Sequence, residues 1–280
     1  MDWKEYEDIV YEECQRIFRD ATIIKDTHIK GIYSQRQRQI DILVKDCTID
    51  GKICSIVVDA KYYSKKVDVK DVESFISMLK DVNIERGILV SSEGYTKSAI
   101  NRAHYGENNI EVDVLNVGEL LQFQSTVAFP YAGSDSAFIK APFGWIIDAA
   151  RRPGIIATLY KRGGDLLDAA KSNEFMYLQL YPKDEEVKTI DDLVKKQNML
   201  LLQDDANARF EKFEIENIVI RKARVKGYPT IETTAFRDFD DFVLFIVLFC
   251  PDNIRDRDIN KMIYTLKSAL PLKVRYKDSE

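Results

Sequence analysis

Residues 36–61 constrain the fold of this chain more than any other stretch. The segments Ile40–Val44 and Ile53–Ala60 have the apolar, β-branched composition of strands. Between them, Lys45–Lys52 is polar and contains an Asp-Gly pair, which is typical of a turn. The pattern predicts two adjacent strands whose ends carry charged residues.

The charged residues at these strand ends are Asp41 in the first strand and Asp59 and Lys61 at the end of the second. Because side chains alternate across a strand, Asp59 and Lys61 are expected to project to the same face. Two carboxylates and the carbonyl of Ala60 suit Mg²⁺, which prefers oxygen ligands. A lysine beside them can orient or deprotonate a water, or stabilise charge on a phosphate. The bare Asp-x-Lys pattern would equally fit an ordinary ion pair.

Composition limits the class of protein. The chain has 280 residues, 45% of them hydrophobic, which is enough for two domains of ordinary size. The formal net charge of −5 argues against a general DNA-coating protein, but it is compatible with a nuclease whose basic residues cluster locally. The four cysteines form no C-x-x-C pair, so no zinc site of ordinary spacing is expected, and reduced thiols in a cytoplasmic protein are predicted.

The longest apolar run, Phe242–Cys250, is too short for a membrane helix, which needs about 20 residues. It is predicted to be a strand buried on both faces, and no membrane association is expected. In the first half, the order of predicted elements is helix, strands, helix, strand, helix, strand, which indicates a central sheet covered by helices on both faces. The helices after the first are expected at residues 68–81, 96–104 and 118–123, and the later strands at residues 87–91 and 110–115.

A domain boundary is predicted where Pro, Gly and Ser residues gather. We expect one domain at 1–124, a linker at 125–135 and a second α/β (α+β) sandwich domain at 136–280. The first helix, over residues 2–19, carries two candidates for an inward carboxylate, Glu7 and Glu13. In the second half the predicted elements include a strand over residues 215–225, a helix from Thr189 to about Leu202, and a final helix from Asp256 or Asp258 that still includes Leu270.

Residues 3–121 resemble the Mrr-like branch of the PD-(D/E)xK nuclease superfamily, the type IV restriction endonuclease-like catalytic domain. The family often has Glu or Gln where this chain has Asp59. The resemblance implies an α/β fold with a restriction endonuclease-like core, in which helices flank a mixed central sheet. The matching residues are Glu7, Arg38–Asp41, Asp59–Lys61, Gly87–Ser91 and Gly94–Ala99.

The resemblance also implies an activity, that of a metal-dependent endodeoxyribonuclease acting in defence against foreign DNA. Asp41 and Asp59, with the carbonyl of Ala60, would bind Mg²⁺, for which Mn²⁺ can substitute. Lys61 would be the catalytic lysine, and Glu7 would be the helix acid that supports the metal or the water. A nuclease-fold protein that binds nucleic acid without cutting it, or acts as a regulator, is the main alternative, and an RNA nuclease is another.

Basic and amide side chains near these positions are candidates for contacts with a phosphate backbone. A homodimer is one possible assembly. The second half resembles a PsbP/Mog1-like α/β sandwich through Gly144–Trp145, Gly227–Pro229, the buried strand and the final helix, and it is predicted to bind a signal, DNA or a protein partner. His28 and His104 are interpreted as structural. The candidate DNA contacts are Arg36, Arg38, Gln39, Lys65 and Lys66.

Overall fold

The computed structural model describes residues 1–105, 109–120, 127–150 and 152–274. Its contacts divide the chain into two compact units, Met1–Ser125 and Thr126–Glu280. Each unit has its own sheets and its own hydrophobic core. None of the helices in the described ranges is both long and apolar enough to cross a membrane.

The first unit contains one five-stranded mixed sheet in the order β1-β2-β3-β4-β5. The first three strands pair in antiparallel fashion, and β3, β4 and β5 are parallel. This arrangement confirms the predicted fold class, a mixed sheet flanked by helices. Its elements are α1 (Trp3–Ile17), β1 (Thr22–Lys30), β2 (Gln37–Ile49), β3 (Lys52–Lys61), α2 (Val69–Asp81), β4 (Arg86–Ser91), α3 (Lys97–Tyr105), β5 (Glu111–Leu115) and α4 (Val117–Leu120).

The helices of this unit form where the sequence supplies both a cap and an apolar face. Asp2 caps α1 by accepting hydrogen bonds from the backbone N–H groups of Lys4 and Glu5, and Asp68 caps α2 in the same manner. Helices α2 and α3 contribute buried side chains to one core with the strands, and α1 contacts β1, β2 and β3. The sheet is thereby fixed between helices, with the carboxyl end of β3 next to α1 and α2.

The second unit is built around a seven-stranded antiparallel sheet in the order β12-β13-β14-β15-β11-β10-β9. A smaller antiparallel sheet has the order β16-β8-β6, and β7 also pairs with β8. A 3₁₀ turn at Asp252–Ile254 precedes α7. The elements are β6 (Val127–Ala128), β7 (Tyr131–Ala132), β8 (Asp135–Lys140), β9 (Trp145–Asp148), β10 (Ala157–Lys161), α5 (Leu166–Ser172), β11 (Phe175–Pro182), α6 (Ile190–Asp204), β12 (Arg209–Ile215), β13 (Ile218–Arg224), β14 (Glu232–Asp238), β15 (Phe242–Phe249), α7 (Arg255–Lys267) and β16 (Leu270–Lys273).

Strand β15 is apolar on both faces because each face of the sheet is covered by a helix. Phe245 and its alternate neighbours share a core with α6, whereas Ile246 and its alternate neighbours share a core with α7. The apolar run is therefore a buried strand, as its composition predicts. Thr189 also caps α6 through the expected capping box with Asp192.

Several segments differ from the predicted elements. Strand β2 runs from Gln37 to Ile49, beyond the predicted strand at Ile40–Val44 and into the predicted turn at Lys45–Lys52. The extended pieces before residue 33 join into one strand, β1. Strand β12 was not predicted; it forms a hairpin with β13 through Glu216 and Asn217, whose positive φ angles of 50° and 65° suit a tight turn. Part of the predicted linker forms β6 and β7, while its first two residues, 125 and 126, lie outside the described residues. Helix α4 ends at Leu120, and the rest of the predicted closing helix, 121–123, also lies outside them.

The prediction that the final helix includes Leu270 is wrong. Helix α7 ends at Lys267, and Leu270 begins β16, which pairs with β8. The side chain of Arg237 donates hydrogen bonds of 2.8 Å to the carbonyl oxygens of Lys267 and Ala269, which satisfies the helix end. Pro271 follows, and a proline cannot continue the helical hydrogen-bond pattern.

Candidate active site

Asp41 and Asp59 lie opposite each other across β2 and β3. Ile42 is the register partner of Val58, so the next residues along the two antiparallel strands are Asp41 and Asp59. The backbone N–H of Ala60 donates a hydrogen bond of 3.1 Å to Oδ2 of Asp41. This bond orients the Asp41 carboxylate toward the end of β3, where the second carboxylate lies.

A β-bulge produces this pairing. Near the turn, Cys47 pairs with Cys54, and counting outward from that pair would place Asp41 opposite Ala60. The register shifts by one residue between Val44 and Cys47, where Asp46 has a φ of 60°. Since a one-residue shift exchanges the faces of a strand, the bulge decides which residue the Asp41 side chain meets.

Lys61 is paired with the second carboxylate. Its Nζ lies 2.8 Å from Oδ2 of Asp59. Burial alone would lower the pKa of Lys61, but the charge and the hydrogen bond of Asp59 outweigh it, and the pKa lies above its ordinary value. Lys61 is therefore protonated at neutral pH, which favours charge stabilisation over proton abstraction as its chemical role.

Asp41 is the acid of this site whose pKa is most clearly raised. Burial and the nearby charge of Asp59 raise the pKa of Asp41 to about 7. Both carboxylates are consequently costly to ionise together while only Lys61 balances them. An additional cation between them would remove that cost.

A cavity of about 640 Å³ contains the predicted site. Every predicted catalytic or metal-binding residue lines it, and so do two of the predicted DNA contacts. These residues are Glu7, Arg38, Gln39, Asp41, Asp59, Ala60 and Lys61.

The same cavity is lined by residues that the sequence interpretation missed. Trp3 is largely exposed on the first turn of α1, and Asp71 and Ser74 belong to α2. A signal for Trp3 was present, because it lies four residues before Glu7 and therefore on the same side of the helix. Asp71 and Ser74 had no comparable signal, since the packing of α2 beside β3 decides their position.

The structure distinguishes the two acids of α1. Glu7 lines the cavity, and its Oε1 lies 3.8 Å from Nζ of Lys25, which also contacts Asp8. Burial raises the pKa of Glu7, and Asp59 is among the charges that contribute. Glu13 is buried, bonds Arg16 at 2.8 Å and is not among the lining residues. Of the two, Glu7 is in position to act with Asp59.

Arg38 and Gln39 are held by other side chains. Nε of Arg38 lies 2.5 Å from Oδ2 of Asp81, and Nε2 of Gln39 donates 2.9 Å to Asp26. Asp81 also accepts hydrogen bonds from the backbone N–H groups of Tyr33 and Ser34, so it anchors the loop before β2. Hydrogen bonds from Ser34 and Arg38 keep the pKa of Asp81 well below its ordinary value.

The other predicted nucleic-acid contacts, Arg36, Lys65 and Lys66, are exposed and are not among the cavity-lining residues. The histidines do not line the cavity either: His28 is exposed on β1, and His104 is buried with its ring 6.0 Å from that of Tyr105. The interpretation of the histidines as structural is compatible with these positions.

The donor set fits a divalent cation of the magnesium type. Mg²⁺ is commonly held by one or two carboxylates, with waters and substrate phosphates completing its ligands. Asp41 and Asp59 provide the carboxylates, and the raised pKa of Asp41 marks a place where positive charge is favoured. Within the described residues, no group of three or more His, Cys, Asp or Glu side chains is arranged to hold a metal, so metal binding by Glu7 stays a prediction.

Comparison with known families finds a match for the first unit. Residues 1–123 match the family model Mrr_cat, described as restriction endonuclease. The match confirms the predicted resemblance and indicates a nuclease. Restriction endonucleases generally use divalent metals. None of the curated proteins matches the chain.

Three of the solved structures that match the chain have low TM-scores. One is a crystal structure of a protein of unknown function designated AF1548 (TM-score 0.32, 10% identity, 43% of this chain and 68% of that chain). The cyanobacterial PsbP (CyanoP) of Synechocystis sp. PCC 6803 also has a TM-score of 0.32, with 14% identity over 50% of this chain and 94% of that one. A Bacteroides thetaiotaomicron VPI-5482 structure has a TM-score of 0.28 and 10% identity, covering 52% and 50%. These scores are too low to assign a fold or function.

Proposed function

We propose that this protein is a Mg²⁺-dependent endodeoxyribonuclease that hydrolyses phosphodiester bonds of foreign DNA. The observation that carries the proposal is the meeting of Asp41, Asp59 and Lys61 in one cavity at the end of β3. The family match of residues 1–123 supports a nuclease. The proposal includes a role in defence and a cytoplasmic location. The cytoplasm is where the substrate lies and where thiols stay reduced.

Each residue has a separate task in this proposal. Asp41, Asp59 and the carbonyl of Ala60 would hold the metal, with Glu7 beside them. The bound cation would neutralise phosphate charge and lower the pKa of a coordinated water. Protonated Lys61 would donate to a phosphate oxygen and stabilise the charge that develops on it, because its ammonium is held beside Asp59.

DNA would reach the cavity along the exposed basic residues Arg36, Lys65 and Lys66. Arg38 and Gln39 are fixed in orientation by Asp81 and Asp26, so they are suited to position a phosphate without further ordering. Loss of one exposed charge should weaken DNA binding and reduce its dependence on salt concentration.

The test is cleavage of supercoiled plasmid with and without Mg²⁺, and with Mn²⁺ in its place. Asp41→Asn, Asp59→Asn and Lys61→Ala should each reduce cleavage by about 100-fold or more. The matched control is Lys52→Ala, an exposed lysine at the opposite end of the same strand. It should cleave at the wild-type rate.

The alternatives predict other outcomes. If wild type and Lys61→Ala leave the plasmid equally intact under every metal, and both bind it, the protein is a nuclease-fold binder or regulator. Preferential digestion of a parallel RNA substrate would make RNA the substrate. Loss of the folded circular-dichroism spectrum in both Asp variants would make Asp41 and Asp59 structural residues.

We propose that the second unit has a recognition or sensing role and binds a signal, DNA or a protein partner. We also propose that the chain is divided into a nuclease domain at 1–124, a linker at 125–135 and a further domain at 136–280. The support for the role of the second unit is a separate core and a cavity of about 380 Å³ lined by Arg224, Tyr228 and Asp252, among others. Arg224→Ala in the full chain should change the affinity for DNA or the activation of cleavage, and leave the requirement for Lys61 intact. A homodimer is part of the proposal, and sedimentation with and without DNA would test it.

A further inference from the structure

The β2–β3 hairpin carries a second reactive group at the end nearer its turn. Cys47 and Cys54 are register partners, and their Sγ atoms lie 3.9 Å apart. The Cys47 thiol also lies 3.2 Å from the carbonyl oxygen of Cys54. The two sulfurs therefore face each other on the same side of the sheet.

The backbone at this place already fits a disulfide. Opposite residues of an antiparallel pair have Cα atoms about 4.5 or 5.5 Å apart, and disulfides occur at Cα separations of about 4.4–6.8 Å. Bond formation between Cys47 and Cys54 requires rotation of two side chains, without a change in strand pairing. Among the described residues, no other two cysteines have their sulfur atoms in contact.

The two thiols differ in exposure and in acidity. Cys47 is buried, whereas Cys54 is partly exposed. The Cys47 hydrogen bond and the Arg86 guanidinium lower the pKa of Cys54 to about 6, against the effect of burial. Arg86 is itself held 3.3 Å from Glu111 and 3.7 Å from Asp50. Thiolates beside a guanidinium are the form of cysteine that reacts with oxidants.

We propose that Cys47 and Cys54 are a reversible redox pair, which hydrogen peroxide converts into a cross-strand disulfide. The partly exposed Cys54 is the attacking group, and the buried Cys47 is the resolving group. The reactivity of this pair does not rest on the proposed nuclease activity.

The proposed reaction balances with peroxide as the oxidant. The Cys54 thiolate attacks one peroxide oxygen, the O–O bond breaks, and the released hydroxide takes a proton to become water, leaving a sulfenic acid. The Cys47 sulfur then attacks the Cys54 sulfur, the S–S bond forms, and the S–O bond breaks. The hydroxide leaves as water with the proton of Cys47. Two thiols lose two electrons, and one peroxide becomes two waters.

A disulfide here would act on the strand register rather than on the reaction directly. Cys54 lies five residues before Asp59 along β3, about 17 Å at an ordinary strand rise. Cys47 is the first paired residue on the turn side of the bulge. Oxidation would thus fasten the hairpin between its turn and the bulge, where the register of β2 is set.

The test uses the reduced full-length protein and one equivalent of hydrogen peroxide. After quenching, the protein is denatured, its free thiols are alkylated, and the digest is analysed by mass spectrometry. We expect a peptide cross-linked between Cys47 and Cys54, which dithiothreitol reverses. Cys14 and Cys250, whose pKa values burial raises to about 12, are internal controls and should react at least about tenfold more slowly.

Two variants separate the roles of the thiols. Cys47→Ser should stop at a sulfenic acid on Cys54, which dimedone captures. Cys54→Ser should leave Cys47 unmodified. The proposal is overturned if oxidised wild type still alkylates at both positions, if only intermolecular cross-links form, or if Cys54 reacts no faster than Cys14.

Discussion

Each unit contains a pair of acidic residues in which one member has a raised pKa, and the surroundings of the two pairs are opposite. In the first unit, burial and Asp59 raise the pKa of Asp41 to about 7, and both residues line an open cavity. In the second unit, burial and Glu174 raise the pKa of Asp258 to about 6, and Asp258 is fully buried. Similar titration behaviour thus arises in two different settings.

The difference lies in the positive charges around each pair. Arg257 bonds both acids of the second unit, at 2.8 Å to Glu174 and 2.9 Å to Asp258, and Lys161 lies 3.0 Å from Glu174. In the first unit, Lys61 alone among the described residues forms a short ion pair with Asp59. The closed pair is neutralised by the chain itself, whereas the open pair has room for an external cation. A raised pKa therefore becomes a functional signal only together with access.

The largest effect should come from opening the closed pair. Arg257→Ala leaves two buried acids with one cation, and removal of one partner of a buried ion pair costs about 3–5 kcal/mol. Urea unfolding followed by the fluorescence of Trp145, a fully buried residue of the second unit, measures this loss. A loss of unfolding free energy below about 1 kcal/mol would show that the buried pair tolerates the removal of a cation as well as the open pair does. Arg257→Met combined with Glu174→Gln should recover part of the stability.

A second experiment breaks the open pair through its register. Deletion of Ser55, the residue of β3 opposite the bulge, shortens that strand by one residue, so that with the bulge kept Asp41 would face Ala60 in place of Asp59. Cleavage should fall by about 100-fold or more, as it does when a catalytic group is removed, while the circular-dichroism spectrum is retained. Asp46→Gly keeps the chain length and serves as the control. Undiminished cleavage by the deletion variant would show that the register is not what assembles the site.

A third experiment tests the open pair through the pH dependence of the protein's stability. Because the folded-state pKa of Asp41 is raised to about 7 from an ordinary value of 3.8, the folded metal-free protein holds a proton that the unfolded chain has released. Stability therefore decreases as pH rises from about 4 to 7. Asp41→Asn removes this cost and should be more stable than wild type by about 2 kcal/mol at pH 8, with no difference near pH 4.

Thermal unfolding in EDTA and in Mg²⁺ checks this expectation. Mg²⁺ should raise the Tm of wild type at pH 8 and leave that of Asp41→Asn unchanged, since only the wild type keeps both carboxylates. The idea fails if the variant shows the same pH dependence as wild type, or if Mg²⁺ stabilises both equally.

The smallest effect should come from relaxing the bulge itself. Asp46 has a φ of 60°, a backbone conformation that costs less free energy for glycine than for aspartate. Glycine also makes the unfolded chain more flexible, which offsets part of this gain in stability. Asp46→Gly should therefore stabilise the first unit by about 0.5 kcal/mol or less. Urea midpoints at one pH are sufficient to measure it, and a clear destabilisation would show that the Asp46 side chain has a role of its own.

Local sequence determined much of this protein. The alternation of apolar residues in β2 and β3, the caps Asp2 and Thr189, and the apolar run of β15 each define an element through interactions within a few residues. The chemical identity of the candidate site was also readable, because Asp41, Asp59 and Lys61 lie on two adjacent predicted strands in a segment that resembles a known family. A symmetric count about the Asp50–Gly51 turn would also have paired Cys47 with Cys54.

Only the tertiary structure decided how these groups meet. The bulge at Asp46 shifts the register so that Asp41 faces Asp59, and Asp81, some forty residues away along the chain, fixes Arg38. Register and long-range ion pairs depend on the packing of whole elements, so a local pattern does not contain them. The sequence supplied the acids and the lysine, and the hairpin geometry made them one site.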